Sequence, residues 1–122
     1  MLSEEMKLKG IEVDWAEEFN GAIAVCNLEG IIVYMNQYSI NQFKKYGGAK
    51  LLGTNLLDCH TEPSKTKLSE MLENPIENMY TTEKDKIKTI IFQTPWRING
   101  EFNGVVEISF QLDQEIPHFI RT

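Results

Sequence analysis

Between Gly104 and Leu112 apolar and polar side chains alternate, with Val106, Ile108, Phe110 and Leu112 on one parity and Glu107, Ser109 and Gln111 on the other. Successive side chains of a strand point to opposite faces, so this pattern predicts a half-buried antiparallel strand. The stretch Ile87 to Ile98 places Ile90, Phe92, Trp96 and Ile98 on one parity, which is assigned inward. Pro95 removes a ladder donor there and predicts a bulge or a local edge. A further strand is expected over about Ile76 to Thr82. Glu83-Lys84-Asp85-Lys86 turns it into the middle strand, and Asn99-Gly100 opens the loop to the last one.

The first half of the chain mixes short strands with helical spacing. Residues 1 to 19 read as a helical lead-in: Leu2 and Met6 lie four apart, Gly10 interrupts, and Asp14 with Glu17 makes a capping-box-like start. Trp15 and Phe19 also lie four apart. Two large aromatics are costly to leave wet, so this segment is expected to pack on the sheet or on a second chain. Ala22 to Asn27 and Ile31 to Met35 predict two strands joined by Leu28-Glu29-Gly30. Asn36 is a good N-cap for the helix carrying Phe43 and Tyr46, and Gly47-Gly48 ends that helix. Leu51 to Asp58 predicts short helical turns. Thr61-Glu62-Pro63 opens another helix with a stripe of Leu68, Met71 and Leu72, closed by Asn74-Pro75.

The order β-β-α-α-α-β-β-β, without βαβ alternation, argues for an α+β fold: a five-stranded antiparallel sheet with helices packed on one face. Gly30-Ile31-Ile32-Val33-Tyr34-Met35-Asn36, followed by Leu51-Leu52-Gly53-Thr54-Asn55, resembles the front half of a PAS domain, whose sequences run "G-x-I-x-x-x-N … G … L-x-G". The resemblance extends from about Phe19 to Leu112, and Leu112-Asp113-Gln114-Glu115-Ile116 looks like the end of that family's last strand. It divides the chain into a helical segment (1–19, a dimer-contact candidate), a PAS-like sensor domain (20–113) and a tail (114–122). It implies a sensory or signal-transduction role without catalysis, through a small molecule in the core or a protein on the sheet. Gly53-Thr54-Asn55 with Asp58-Cys59-His60 further resembles a bacterial subgroup with a Cys-His-Pro-Pro-like loop. Thr61-Glu62-Pro63 stands where that loop has its prolines.

Composition narrows the setting. At 122 residues the chain is one domain, and 42% hydrophobic with 25% charged residues is ordinary for a globular one. No apolar run approaches the roughly 20 residues that span a bilayer. The acidic start Met1-Leu2-Ser3-Glu4-Glu5 is unlike a signal peptide. The expected location is cytoplasmic, with Cys26 and Cys59 as free thiols. A net charge of −6 without a basic stripe argues against nucleic acid and membrane surfaces as partners.

Candidate chemistry is sparse. Cys59-His60 is the one pair that invites a nucleophile, but adjacent residues point apart and no orienting third group is visible. The resemblance implies a haem alternative, with His60 as the iron ligand just before the helix 61–74. It speaks against cysteinyl-flavin photochemistry, because Leu56 follows Asn55 where light-sensing members have Cys. Two Cys and two His, including His118, form no metal-ligand spacing, so no metal site is assigned. The ligand-pocket candidates are Phe43, Leu57, His60, Leu72, Tyr80, Phe92, Ile108 and Phe110, with Tyr80 and Trp96 supplying polar tips. Trp15 and Phe19 are the candidate homodimer contact. A cone-shaped enzyme of the steroid-isomerase kind is the alternative from another class. It requires a carboxylate and a tyrosine to converge, for example Asp58 with Tyr34 or Tyr80.

Overall fold

The computed structural model describes residues 6–122, apart from the side chain of Cys59. Leu2, half of the Leu2–Met6 face, and the thiol of the Cys59–His60 pair lie outside the described residues. β1 (Ala22–Asn27) and β2 (Ile32–Met35) form the first hairpin, and α1 (Gln37–Gln42) follows at once. Two 3₁₀ turns, Lys44–Tyr46 and Gly48–Leu51, lead to α2 (Leu56–Cys59) and α3 (Ser64–Glu73). β3 (Asn78–Lys84), β4 (Ile87–Ile98) and β5 (Glu101–Leu112) complete an antiparallel sheet in the order β2-β1-β5-β4-β3. The first and last strands thus meet in the middle of the sheet, β1 beside β5.

Both parts of the Gly–Asn pattern are structural joints. Gly30 takes φ +86 at the end of the β1–β2 turn, a conformation that favours glycine. Asn27 Oδ1 braces that turn by accepting from the N–H groups of Glu29 and Ile31, each at 3.0 Å. Gly53 N–H then donates to the Ile32 carbonyl at 2.8 Å, and Ile32 N–H to the Thr54 carbonyl at 3.0 Å. Asn55 caps α2 through the Leu57 N–H (2.9 Å) and reaches back to the Glu29 carbonyl (3.1 Å). The two motifs therefore bond to each other.

Asn36 is wholly buried and uses its full bonding capacity. Its Oδ1 accepts from Ser39 N–H (2.9 Å), capping α1, and from Ile23 N–H (3.0 Å). Its Nδ2 donates to the carbonyls of Ala16 and Gly21, both at 2.9 Å. The Gln37 N–H takes the Glu17 carbonyl at 3.2 Å. These bonds explain a departure from expectation: no helix spans Asp14 to Phe19. The carbonyls of Ala16 and Glu17 are engaged by Asn36 and Gln37, and residues 7–19 run as turns, bends and irregular backbone.

The compact part of the core is small: Cys26 and Val105 on the sheet against Leu68, Met71 and Leu72 of α3, with Leu56 and Leu57 beside them. These contacts fix which face of the sheet the helices cover, and it is the reverse of the expected one. In β5 the face toward the helices carries Val105, Glu107 and Ser109, while Val106, Ile108, Phe110 and Leu112 point away. In β4, Ile91, Gln93 and Pro95 are inward positions, and Ile90, Phe92 and Trp96 are outward. Alternation separates two faces but does not say which one a helix will cover. The β4–β5 ladder shifts register between Trp96 and Arg97, one residue past Pro95, and Gly104 opposite Trp96 lies 1.9 Å (as an added Cβ) from the Cys26 carbonyl. Only glycine lets β1 approach there.

A candidate ligand cavity between helices and sheet

Aligned residues of adjacent strands form rows across the inner face. One row runs Asn78 (β3), Gln93 (β4), Glu107 (β5), Ala24 (β1) and Met35 (β2). It is polar on the β3 side and apolar on the β2 side. Asn78 Nδ2 donates to Gln93 Oε1 at 2.9 Å, and Gln93 Nε2 donates to Glu107 Oε1 at 2.8 Å. The chain of bonds fixes both amide orientations and holds the carboxylate in the middle of the wall.

Opposite this wall, α1, the 3₁₀ turns, α2 and α3 arch over a cavity of about 800 Å³. Its apolar lining includes Ile32, Met35, Leu51, Leu56, Leu68 and Met71. Ser39 of α1 lies at its edge, its hydroxyl fully buried and without a hydrogen-bond partner among the described residues. Lys67 and Ser64 of α3 and His60 line it from the helix side. His60 Nδ1 sits 2.7 Å from the Leu56 carbonyl, which only accepts, so this nitrogen is the donor and Nε2 takes no part in the bond. Burial raises the pKa of Tyr80 above the ordinary phenol value, and the nearby Glu107 carboxylate adds to the shift. Burial likewise pushes the Cys26 thiol up, again with Glu107 contributing.

Of the sequence-derived pocket candidates, the structure brings Phe43, His60 and Tyr80 to the cavity wall. Leu72 is buried and Leu57 packs against the small core, so both serve packing behind the cavity. Phe92, Ile108 and Phe110 stand on the opposite face of the sheet, as does Trp96, because the inward parity is the polar one. Asn78, Gln93, Glu107 and Ser39 were missed. Their signal lay in the hairpin register: once Asp85-Lys86 is the turn, Asn78 falls opposite Gln93. Trp15 is 55% exposed and packs edge-on against Phe19, ring centroids 5.6 Å apart. Phe19 and Phe110 flank the same spot above Gly21, where an added Cβ would lie 3.0 and 3.1 Å from them. The isomerase-like convergence does not form: Asp58 is exposed, and the Tyr34 hydroxyl donates to Glu17 at 3.2 Å, outside the cavity.

No family model and no curated protein matches this chain. Solved structures do. A sensory box sensor histidine kinase from Vibrio cholerae superposes with a TM-score of 0.62 at 14% identity, over 80% of this chain and 86% of that one. The PAS domain of histidine kinase ThkA gives 0.59 at 19%, over 73% and 96%. This is a PAS fold. The Aer2 receptor from Vibrio cholerae, described as a dual PAS-heme oxygen sensor, gives 0.57 at 17%, over 76% and 95%. Among the described residues no helix is long and apolar enough to cross a membrane, and no group of three His, Cys, Asp or Glu is placed to hold a metal ion.

Proposed function

We propose that this chain is a cytoplasmic sensory domain that binds a small organic molecule between its helices and sheet and passes the signal to a protein through the outer sheet face. The observation that carries this reading is the cavity of about 800 Å³ in a chain of only 122 residues. A domain this size has little apolar material to spare for lining a hollow that holds nothing. The outer face supports the second half of the reading. Phe92, Ile108 and Phe110 lie there side by side with Ile90 and Val106, and Phe110 and Met79 are exposed. Exposed apolar patches of this kind mark protein contacts, and an isologous homodimer using this face with Trp15 and Phe19 is the proposed arrangement.

The test is native mass spectrometry of protein purified from cells, beside its absorption spectrum. A co-purified organic mass is expected, on a dimer that Phe110→Glu converts to monomer. An empty monomer unaffected by Phe110→Glu would sink the reading. A haem reading through His60 is favoured by one observation, the free Nε2 of a ring whose Nδ1 is tied to Leu56. The opposite wall fits a porphyrin poorly, since it presents a carboxylate and two amides rather than an apolar plate. A Soret band lost in His60→Ala would reverse that preference.

A further inference from the structure

We infer that the molecule bound in the cavity is a small organic amine, recognised through its ammonium group by Glu107. The inference rests on the cavity being the ligand site, as proposed above. Glu107 accepts one hydrogen bond, from Gln93, and no cationic side chain among the described residues pairs with it. A half-buried carboxylate that lines a cavity with one oxygen uncommitted is a ready partner for a charged guest. An ammonium suits it best: it donates up to three bonds and brings the opposite charge.

The surroundings fit the same guest. Gln93 cannot turn its oxygen toward the cavity centre without breaking the bond from Asn78, so its amide group stays donor-first on Glu107 and leaves the other carboxylate oxygen open. Tyr80, on the neighbouring row, lines the same end. Ile32, Met35, Leu51, Leu56, Leu68 and Met71 line it as well and suit an apolar body. Lys67 lines the cavity too, but its charge rides on a flexible stem that can turn to solvent, whereas Glu107 is held in place.

The experiment is isothermal titration of the full chain with butylamine, phenethylamine and tryptamine, each beside the alcohol of the same shape (butanol, phenylethanol, tryptophol). At least one amine is expected to bind about tenfold or more tightly than its alcohol. Glu107→Gln, which keeps the bond from Gln93, should erase that preference, and Glu101→Gln, at an exposed carboxylate of the same strand outside the cavity, should leave it intact. Amines and alcohols that bind equally well to the natural chain would overturn the amine inference and leave the small-molecule cavity standing. If none of the six binds, the inference falls, and an empty native mass spectrum would then take the cavity reading with it.

Discussion

A single side chain, Asn36, holds three segments in place, and its two ends are not equivalent. The oxygen caps α1 and takes the Ile23 N–H, while the nitrogen satisfies the carbonyls of Ala16 and Gly21. Asn36→Ala leaves four groups to find other partners in a site closed to water, at about 1–3 kcal/mol for each one that stays buried and unpaired. A loss of about 3–5 kcal/mol in urea unfolding is expected for that variant. Asn36→Asp keeps both acceptor contacts but turns the two donated bonds into oxygen–oxygen repulsion, so it should fall between Asn36→Ala and the natural chain. A change below about 1 kcal/mol for Asn36→Ala would show that the network contributes little. At this scale the sequence was informative about Asn36 as a cap and silent about its other three bonds. Those partners are 13 to 20 residues away, and no local pattern encodes them.

The elements were legible where turn chemistry bounded them and illegible where a choice between equivalent faces had to be made. Both strands before the helices, all three after them and the helix 64–73 arise where apolar periodicity meets Gly, Asn or Pro. The inward parity of β4 and β5 did not follow, because a strand with one apolar and one polar face reads the same whether helices or a partner cover the apolar one. The helix expected from Asp14 to Phe19 rested on local i,i+4 spacing, which long-range bonds to its carbonyls overrode. The β3–β4 turn carries its own prediction. Asp85 and Lys86 both take positive φ, 52° and 67°, as a type I′ turn requires, yet Lys86 stands where glycine is preferred. A left-handed non-glycine residue costs about 1–2 kcal/mol, and glycine returns part of that through a freer unfolded chain. Lys86→Gly is therefore expected to stabilise by about 0.5–1 kcal/mol, read as a higher Tm with the sheet unchanged. A lower Tm would mean that Lys86 makes a compensating contact that outweighs the strain. The β4–β5 turn already has Gly100 at φ 83, so the same exchange has nothing to gain there.

Across the whole molecule, the helices cover the sheet face that carries Asn78, Gln93 and Glu107 while the more apolar face of β4 and β5 looks outward, and the acids on the inner side feel the difference. Cys26, 2% exposed, and Tyr80 both hold their protons more tightly in the folded chain, first because burial penalises the charged form and then because Glu107 repels a second negative charge. Tyr34 shifts the same way, through burial and its bond to Glu17. An acid whose folded pKa lies above its unfolded one contributes stability that is complete below the unfolded value and is lost as pH rises through the folded one. The unfolded thiol titrates near 9.0 and the unfolded phenols near 10.0, so the losses begin in that order. The urea midpoint should therefore hold steady from about pH 7 to pH 8.5 and then decline, with the thiol responsible for the first part of the slope. Cys26→Ala lowers stability at every pH by emptying a core position, yet its curve should stay flat for longer before the tyrosines take over. A natural chain whose midpoint does not move up to about pH 10.5 would show that neither thiol nor phenol is held as the inner wall implies. The same titration reads the cavity from outside: an amine seated on Glu107 cancels the charge that repels the Cys26 thiolate, so saturating amine should make the early decline shallower.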